Sequence, residues 1–171
     1  MCRKDTLVTE RLVLKSFENK DKEDVIKLLE NPLVTKTYMC PVFESEEHKD
    51  KFFSRFREIS KGKDKLLYGI FLNEKVIGFI NEVEKNDEEM ELGYVISPNE
   101  WNKGYATEAL KAVIKELFRI GFKRVVAAHF EINPASGKVM IKSGMQKIDR
   151  TEVIEYQGIK HNCAYYAIES K

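Results

Sequence analysis

The sequence predicts an α/β domain on one mixed, mostly antiparallel sheet of about seven strands flanked by about four helices. Three observations carry that. The centre of the chain holds three strand-like runs, residues 66–72, 76–84 and 90–96, joined by turns short enough for antiparallel hairpins. A helical pattern then separates the third run from a β-branched run at Arg124–Phe130, which is the spacing of a parallel crossover. The chain closes on another hairpin, with two strand runs around Gln157-Gly158.

Near the start, Leu7, Val8, Leu12, Val13 and Leu14 surround Thr9, Glu10 and Arg11, which reads as one strand with an uneven start. Residues 21–30 place Val25, Ile26, Leu28 and Leu29 at helical spacing. Asn31-Pro32 ends that helix, because proline disfavours helix in the residue before it. Residues 33–43 are irregular and rich in apolar groups (Val34, Tyr38, Met39, Val42, Phe43), either a packed connector or a wall of a cleft. Ser45 caps the next helix, whose first turn holds Glu46 and Glu47 and whose apolar side is Phe52, Phe53, Phe56 and Ile59. It ends near Ser60 and Gly62. Asn73-Glu74 joins the first two central strands, and Asn86-Asp87-Glu88 joins the next two. The crossover helix carries Ala106, Leu110, Val113, Ile114, Leu117 and Phe118 on one face, runs to about Ile120, and has Gly121 as its cap. Asn133 or Pro134 starts the last helix, Gly144 ends it, and Gln146–Tyr156 and residues 161–168 are the closing strands.

The 171 residues suit a single domain, 1–171, with no repeats or linker. Hydrophobic residues make up 43% and charged ones 33%, the composition of a soluble globular protein. A net charge of +1 gives no field to gather nucleic acid or acidic lipid, so neither is an expected partner. No apolar run is long enough to span a membrane, and no signal-peptide core is visible. Cys2, Cys40 and Cys163 lack metal-ligand spacing, so no metal is expected and a cytoplasmic home is.

The most informative stretch follows the third central strand: Asn99-Glu100-Trp101-Asn102-Lys103-Gly104-Tyr105-Ala106-Thr107-Glu108-Ala109. A strand, a short glycine-containing turn and a helix start present free backbone N–H groups to an anion. Gly104 permits close approach, Ala106 adds little bulk, Lys103 adds positive charge, and Glu108 suits the helix dipole. The stretch reads as a pyrophosphate cradle or as an ordinary strand-to-helix turn. Neither GxxxxGK[ST] nor a GxGxxG after a first strand is present.

The segment Trp101-Asn102-Lys103-Gly104-Tyr105-Ala106 resembles the [QR]-x-x-G-x-[GA] motif of the GCN5-related N-acetyltransferases, with Trp101 where Gln or Arg is usual. Three more pieces resemble the branch that acetylates ribosomal-protein N-termini, in the same order. They are Thr9-Glu10-Arg11-Leu12-Val13-Leu14-Lys15, Glu91-Leu92-Gly93-Tyr94, and Asn133-Pro134-Ala135-Ser136 with Lys142-Ser143-Gly144-Met145. The resemblance implies that residues 90–96 and Arg124–Phe130 splay apart to admit the pantetheine arm of acetyl-CoA. Main-chain groups of Tyr94, Val95 and Ile96 would pair with that arm, aided by Asn133. The N–H groups of Asn102, Lys103, Gly104, Tyr105, Ala106 and Thr107 would meet the pyrophosphate. Monomers and homodimers both occur in such a family.

Acetyl transfer to an amine needs a base, a close thioester, a donor for the oxyanion and a proton for the leaving thiolate. An α-amine, with a pKa near ~7.7–8.0, asks less of the base than lysine near ~10.4. Glu91, a carboxylate within an apolar strand beside the cleft, is the favoured base, against a structural role in an ion pair. Glu82 is the second candidate. The oxyanion donor would be an N–H near Val95 or Ile96. Many relatives carry a proton-donating tyrosine four residues before the glycine that ends the last helix, and here that position is Met140. Ser136 is the available replacement, with first-turn helix capping as its other reading. Asn133 is also an ordinary turn starter. His129 is weighed as a base against a core role, and His48 and His161 read as surface residues. The cysteines lack an activating context. Tyr38 and Tyr156 are placed in the acceptor cleft. The acceptor is expected to be a protein N-terminus. A small amine such as a polyamine, amino acid or antibiotic, and a CoA-binding module without turnover, are the alternatives.

Overall fold

A computed structural model describes residues 3–171, so Cys2 lies outside the described residues. The elements are β1 (Leu7–Val8), β2 (Val13–Lys15), α1 (Lys22–Glu30), α2 (Pro32–Thr35), α3 (Glu46–Lys61), β3 (Leu67–Leu72), β4 (Lys75–Lys85), β5 (Glu89–Ile96), α4 (Tyr105–Arg119), β6 (Arg124–Phe130), α5 (Pro134–Lys142), β7 (Gln146–Tyr156) and β8 (Ile159–Glu169). Among the described residues the strands form one sheet of eight, ordered β1-β2-β3-β4-β5-β6-β8-β7. Every neighbouring pair is antiparallel except β5 with β6.

The expected α/β fold with a mixed, mostly antiparallel sheet is present, with one strand and one helix more than expected. The single uneven strand at the start is two strands. Thr9 causes the break: its N–H donates to the Leu12 carbonyl at 2.9 Å, and its hydroxyl oxygen accepts from the Leu12 N–H at 3.0 Å. That closes a tight turn and folds β1 back on β2. The extra helix, α2, starts inside the stretch expected to be irregular. Pro32 does end α1, but it is also well suited to a first helical position, and the Asn31 side chain accepts from the Leu33 N–H at 2.9 Å.

The turns behave as their residues dictate. Asn73 and Glu74 both have positive φ (48° and 65°), as do Gln157 and Gly158 (52° and 74°), the geometry of tight hairpins. Helices α4 and α5 cover one face of the sheet, with Leu110, Val113, Ile114 and Leu117 of α4 buried against Met90, Leu92 and Ala127. Burial stabilises by about 1.5–3 kcal/mol per large apolar side chain. Helices α1 and α3 cover the other face, where Phe17 stacks on Phe56 at 5.4 Å and packs against Phe53 and Phe71.

His161, expected at the surface, is buried and stacks on Phe130 at 4.3 Å. Strand alternation puts it on the same face as buried Cys163 and Tyr165, and the polar neighbours Lys160 and Asn162 hide that in the sequence. The central feature of the fold is a gap. Parallel pairing of β5 with β6 runs from Glu89–Arg124 to Leu92–Ala127 and stops, while β5 stays paired to β4 through Ile96 and β6 to β8 through Phe130.

Candidate active site

Two strands that part while each keeps its outer neighbour leave main-chain groups facing the space between them. Strand phase decides which. The Ser97 N–H bonds to the Ile77 carbonyl at 2.7 Å, and β5 residues two apart repeat that orientation. Val95 therefore turns its amide to β4, a correction to the expectation that it is unpaired. Tyr94 and Ile96 turn theirs toward the gap. The Ile96 carbonyl is taken at 2.7 Å by the Trp101 indole N–H, so this tryptophan ties the strand end to the turn that follows.

That turn is open. Residues 101–104 are exposed, Asn102 and Gly104 have φ of 61° and 85°, and Gly104 caps α4 without a side chain. Among the described residues, no hydrogen bond takes up the main-chain N–H groups of Asn102, Lys103, Gly104, Tyr105, Ala106 or Thr107. Helix geometry explains this, since first-turn N–H groups have no carbonyl four residues back. The Lys103 ammonium is engaged elsewhere, 2.9 Å from Glu100. A Cβ on Gly104 would sit only 3.3 Å from an Arg11 nitrogen, at a φ that side chains avoid. Free donors at a helix start, continuous with a gap bearing free amide groups, fit a diphosphate joined to an extended amide chain.

On the α5 side of the gap, two hydroxyls meet. The Tyr94 phenol lies 2.8 Å from Ser136 Oγ and 2.9 Å from the Ser136 carbonyl, so its one proton can be donated to either oxygen. Burial raises the phenol above its ordinary pKa, so it stays a neutral donor. Ser136 does not cap α5. Asn133 does, accepting the Ser136 N–H at its side chain, and this leaves the serine hydroxyl for Tyr94. Met140 is fully buried in the core. His129 also lies on this side, its Nδ1 at 2.8 Å from the Phe130 carbonyl and its buried Nε2 against Gly137.

Strand alternation puts Glu91 on the opposite face. Its side chain is only 12% exposed and lies 3.4 Å from Arg150, whose guanidinium sits 4.0 Å over the Tyr165 ring and also binds Glu152. Burial raises the Glu91 carboxyl above the usual range, Arg150 opposes this, and Glu152, Glu84 and Glu89 add to it. Glu82 is elsewhere: it bonds the Leu66 N–H and Lys85, and its register partner Leu92 faces α4. Next to Glu91, the Tyr38 hydroxyl donates to Asn81 Oδ1 at 2.8 Å, beside Gly93. The Tyr156 hydroxyl accepts from the Cys40 N–H at 3.3 Å, joining the segment after α2 to the β7–β8 hairpin. Burial raises the Cys40 thiol to about 11, which suits an inert packing residue.

The structure thus brings Tyr94 to Ser136, Tyr38 to Asn81 and Tyr156 to the main chain at Cys40, it turns Glu82 to Leu66 and Lys85, and it pairs the Lys103 charge with Glu100. Arg150, Asn81 and the Tyr94 hydroxyl are the residues that sequence reasoning missed. Among the described residues no His, Cys, Asp and Glu group could hold a metal ion, and no helix is long and apolar enough to cross a membrane.

Residues 11–146 match the family model of the acetyltransferase (GNAT) domain. The chain is 29% identical over 168 residues to YoaA, an uncharacterised N-acetyltransferase of Bacillus subtilis (strain 168), covering 95% of each chain. Among solved structures it is similar to a GNAT-family acetyltransferase from Bacillus anthracis, with a TM-score of 0.81, 28% identity and coverage of 96% and 98%. It shares its fold with RimL, a ribosomal L7/L12 α-N-protein acetyltransferase solved in complex with coenzyme A. That TM-score is 0.79, at 18% identity with coverage of 95% and 96%.

Proposed function

The chain belongs to the GNAT family of acetyltransferases, and from that premise we propose that it acetylates the α-amine of a protein N-terminus across the gap between β5 and β6. The enzyme is an N-acetyltransferase, it uses acetyl-CoA, and its acceptor is an amine. One observation supports the proposed geometry best. The Tyr94–Ser136 hydroxyl pair lies beside the break in the sheet, and the Glu91 carboxylate, one residue before the last β5–β6 pair, stands on the opposite face of the same strand.

Acetyl-CoA supplies an acetyl group already activated as a thioester. The chain's own residues do the rest. The N–H groups of residues 102–107 take the charge of the phosphates, with Gly104 leaving them accessible. The amides of Tyr94 and Ile96 pair with the amide-bearing arm, and the Ile96 N–H is the better placed of the two expected oxyanion donors. Asn133 holds the start of α5, so that Ser136 faces the gap. Glu91, its carboxyl raised by burial, takes a proton from the amine directly or through one water. Ser136, backed by Tyr94, offers a proton at its hydroxyl to the departing sulfur.

The acceptor assignment draws on the rim. Met39, Val42, Val153 and Ile159 are exposed around Tyr38 and Tyr156, where the segment after α2 meets the β7–β8 hairpin. Apolar groups there suit the side chains that follow a peptide N-terminus better than a polycation. RimL acts on a ribosomal protein's α-amine, and a ribosomal-protein-type N-terminus in the cytoplasm, met by a monomer or homodimer, goes with this reading.

The test is turnover. The protein is incubated with acetyl-CoA and a panel of peptides with free or blocked N-termini, beside polyamines, amino acids and amine antibiotics, and released thiol is measured. The reading expects turnover of free-N-terminus peptides, lost on blocking. Turnover confined to small amines would replace the acceptor class and leave the family chemistry standing.

A further inference from the structure

The mechanism above leaves the segment Thr9-Glu10-Arg11-Leu12 without a task, yet the fold carries it to the phosphate turn. The Thr9 hydroxyl donates to Glu108 Oε1 at 2.6 Å, and the Arg11 main-chain N–H donates to the same oxygen at 2.8 Å. Arg11 Nε and Nη2 both hold Glu108 Oε2 at 2.7 Å. The remaining guanidinium nitrogen, Nη1, donates to the Lys103 carbonyl at 2.9 Å, and the guanidinium lies 4.6 Å over the Tyr105 ring. Every arm of the arginine is thus spent on residues within or beside the turn.

We propose that Thr9, Arg11 and Glu108 form a clamp that positions the 102–107 turn for a diphosphate, with Arg11 cancelling the one carboxylate that would repel it. This rests on the cradle reading above. Two physical needs meet here. Asn102 occupies a left-handed conformation that disfavours side chains, and Gly104 a second one, so the carbonyl between them needs an outside anchor. The Arg11–Lys103 bond is that anchor. Glu108 in the first turn of α4 favours the helix dipole, but an unopposed carboxylate beside free N–H donors competes with an anionic ligand. Burial acts to raise the Glu108 carboxyl, and the Thr9 hydroxyl and Arg11 outweigh it and hold it below the usual range. The carboxylate is therefore charged, and the guanidinium neutralises it where it stands.

A tie that served stability alone would affect all ligands alike. A clamp for the diphosphate would affect only ligands that carry one. Coenzyme A and pantetheine, which lacks the phosphates, are therefore titrated calorimetrically into wild type, Arg11→Ala, Glu108→Gln and the double variant, with melting followed for each. The expected result is at least about tenfold weaker coenzyme A binding in Arg11→Ala, with pantetheine within about twofold of wild type. Glu108→Gln in the Arg11→Ala background should recover part of the loss by removing the uncompensated charge. In the ligand-free protein, amides of residues 102–107 should exchange faster in Arg11→Ala. Equal losses for both ligands, or wild-type coenzyme A binding in Arg11→Ala, overturn the clamp. If Arg11→Ala does not fold, Arg11→Lys, which keeps the charge but not the fork, gives the same contrast at smaller size. Gly104→Glu separates the two levels: normal coenzyme A binding in that variant sinks the cradle itself, whereas its loss beside an indifferent Arg11→Ala sinks only the clamp.

Discussion

Replacing Tyr94 with Phe removes one oxygen and keeps the half-buried ring in place. That oxygen is 2.8 Å from Ser136 Oγ and 2.9 Å from the Ser136 carbonyl. Two such bonds contribute about 1–2 kcal/mol net, so the variant should melt a few degrees lower and still fold. The kinetic effect should be larger in kind. A positioned proton donor is worth about a hundredfold or more, and Ser136→Ala should lose about that much in kcat, or ~2.7 kcal/mol. Tyr94 acts through Ser136, so Tyr94→Phe should cost about tenfold, and the double variant no more than Ser136→Ala alone. The assay is thiol release under saturating acetyl-CoA, repeated with an acetyl thioester of a more acidic thiol. That thiolate needs less help from a proton, and the losses should shrink. Wild-type kcat in Tyr94→Phe, multiplicative losses in the double variant, or undiminished losses with the acidic thiol would refute the relay.

Glu91→Gln should lower kcat at least about tenfold while coenzyme A affinity, read by calorimetry, stays within about twofold. Arg150→Ala should move the acidic limb of the kcat/KM–pH profile upward: burial raises the Glu91 carboxyl, Arg150 opposes it, and only the deprotonated form can accept the amine's proton. An unmoved limb would separate that titration from Glu91. Gly78→Ala should destabilise by about 2 kcal/mol or more in a denaturant melt, because its Cβ would meet the Val95 carbonyl oxygen at 2.1 Å, a backbone atom beside the gap.

Much of this arrangement was legible because it is local. The hairpins announced themselves through Asn73-Glu74 and Gln157-Gly158, and α4 through one apolar face that the core then buries. The glycine turn was legible because it needs few residues in sequence. What stayed hidden depends on partners far along the chain. Arg150 reaches Glu91 across 59 positions and Tyr94 reaches Ser136 across 42, and no local signal marks either meeting. The orientation of the Val95 amide follows from how β4 pairs with β5, which one strand cannot reveal. The Thr9 turn was hidden for another reason: a side chain bonding the nearby backbone overrode the apolar pattern that suggested one strand with an uneven start.

Amide hydrogen exchange, followed residue by residue with and without coenzyme A, tests the central claim most directly. New protection should appear at residues 102–107 and at Tyr94 and Ile96, with Val95 unchanged because its amide is already paired with β4. Protection confined to another surface, with the turn after β5 exchanging as freely as before, would contradict the account.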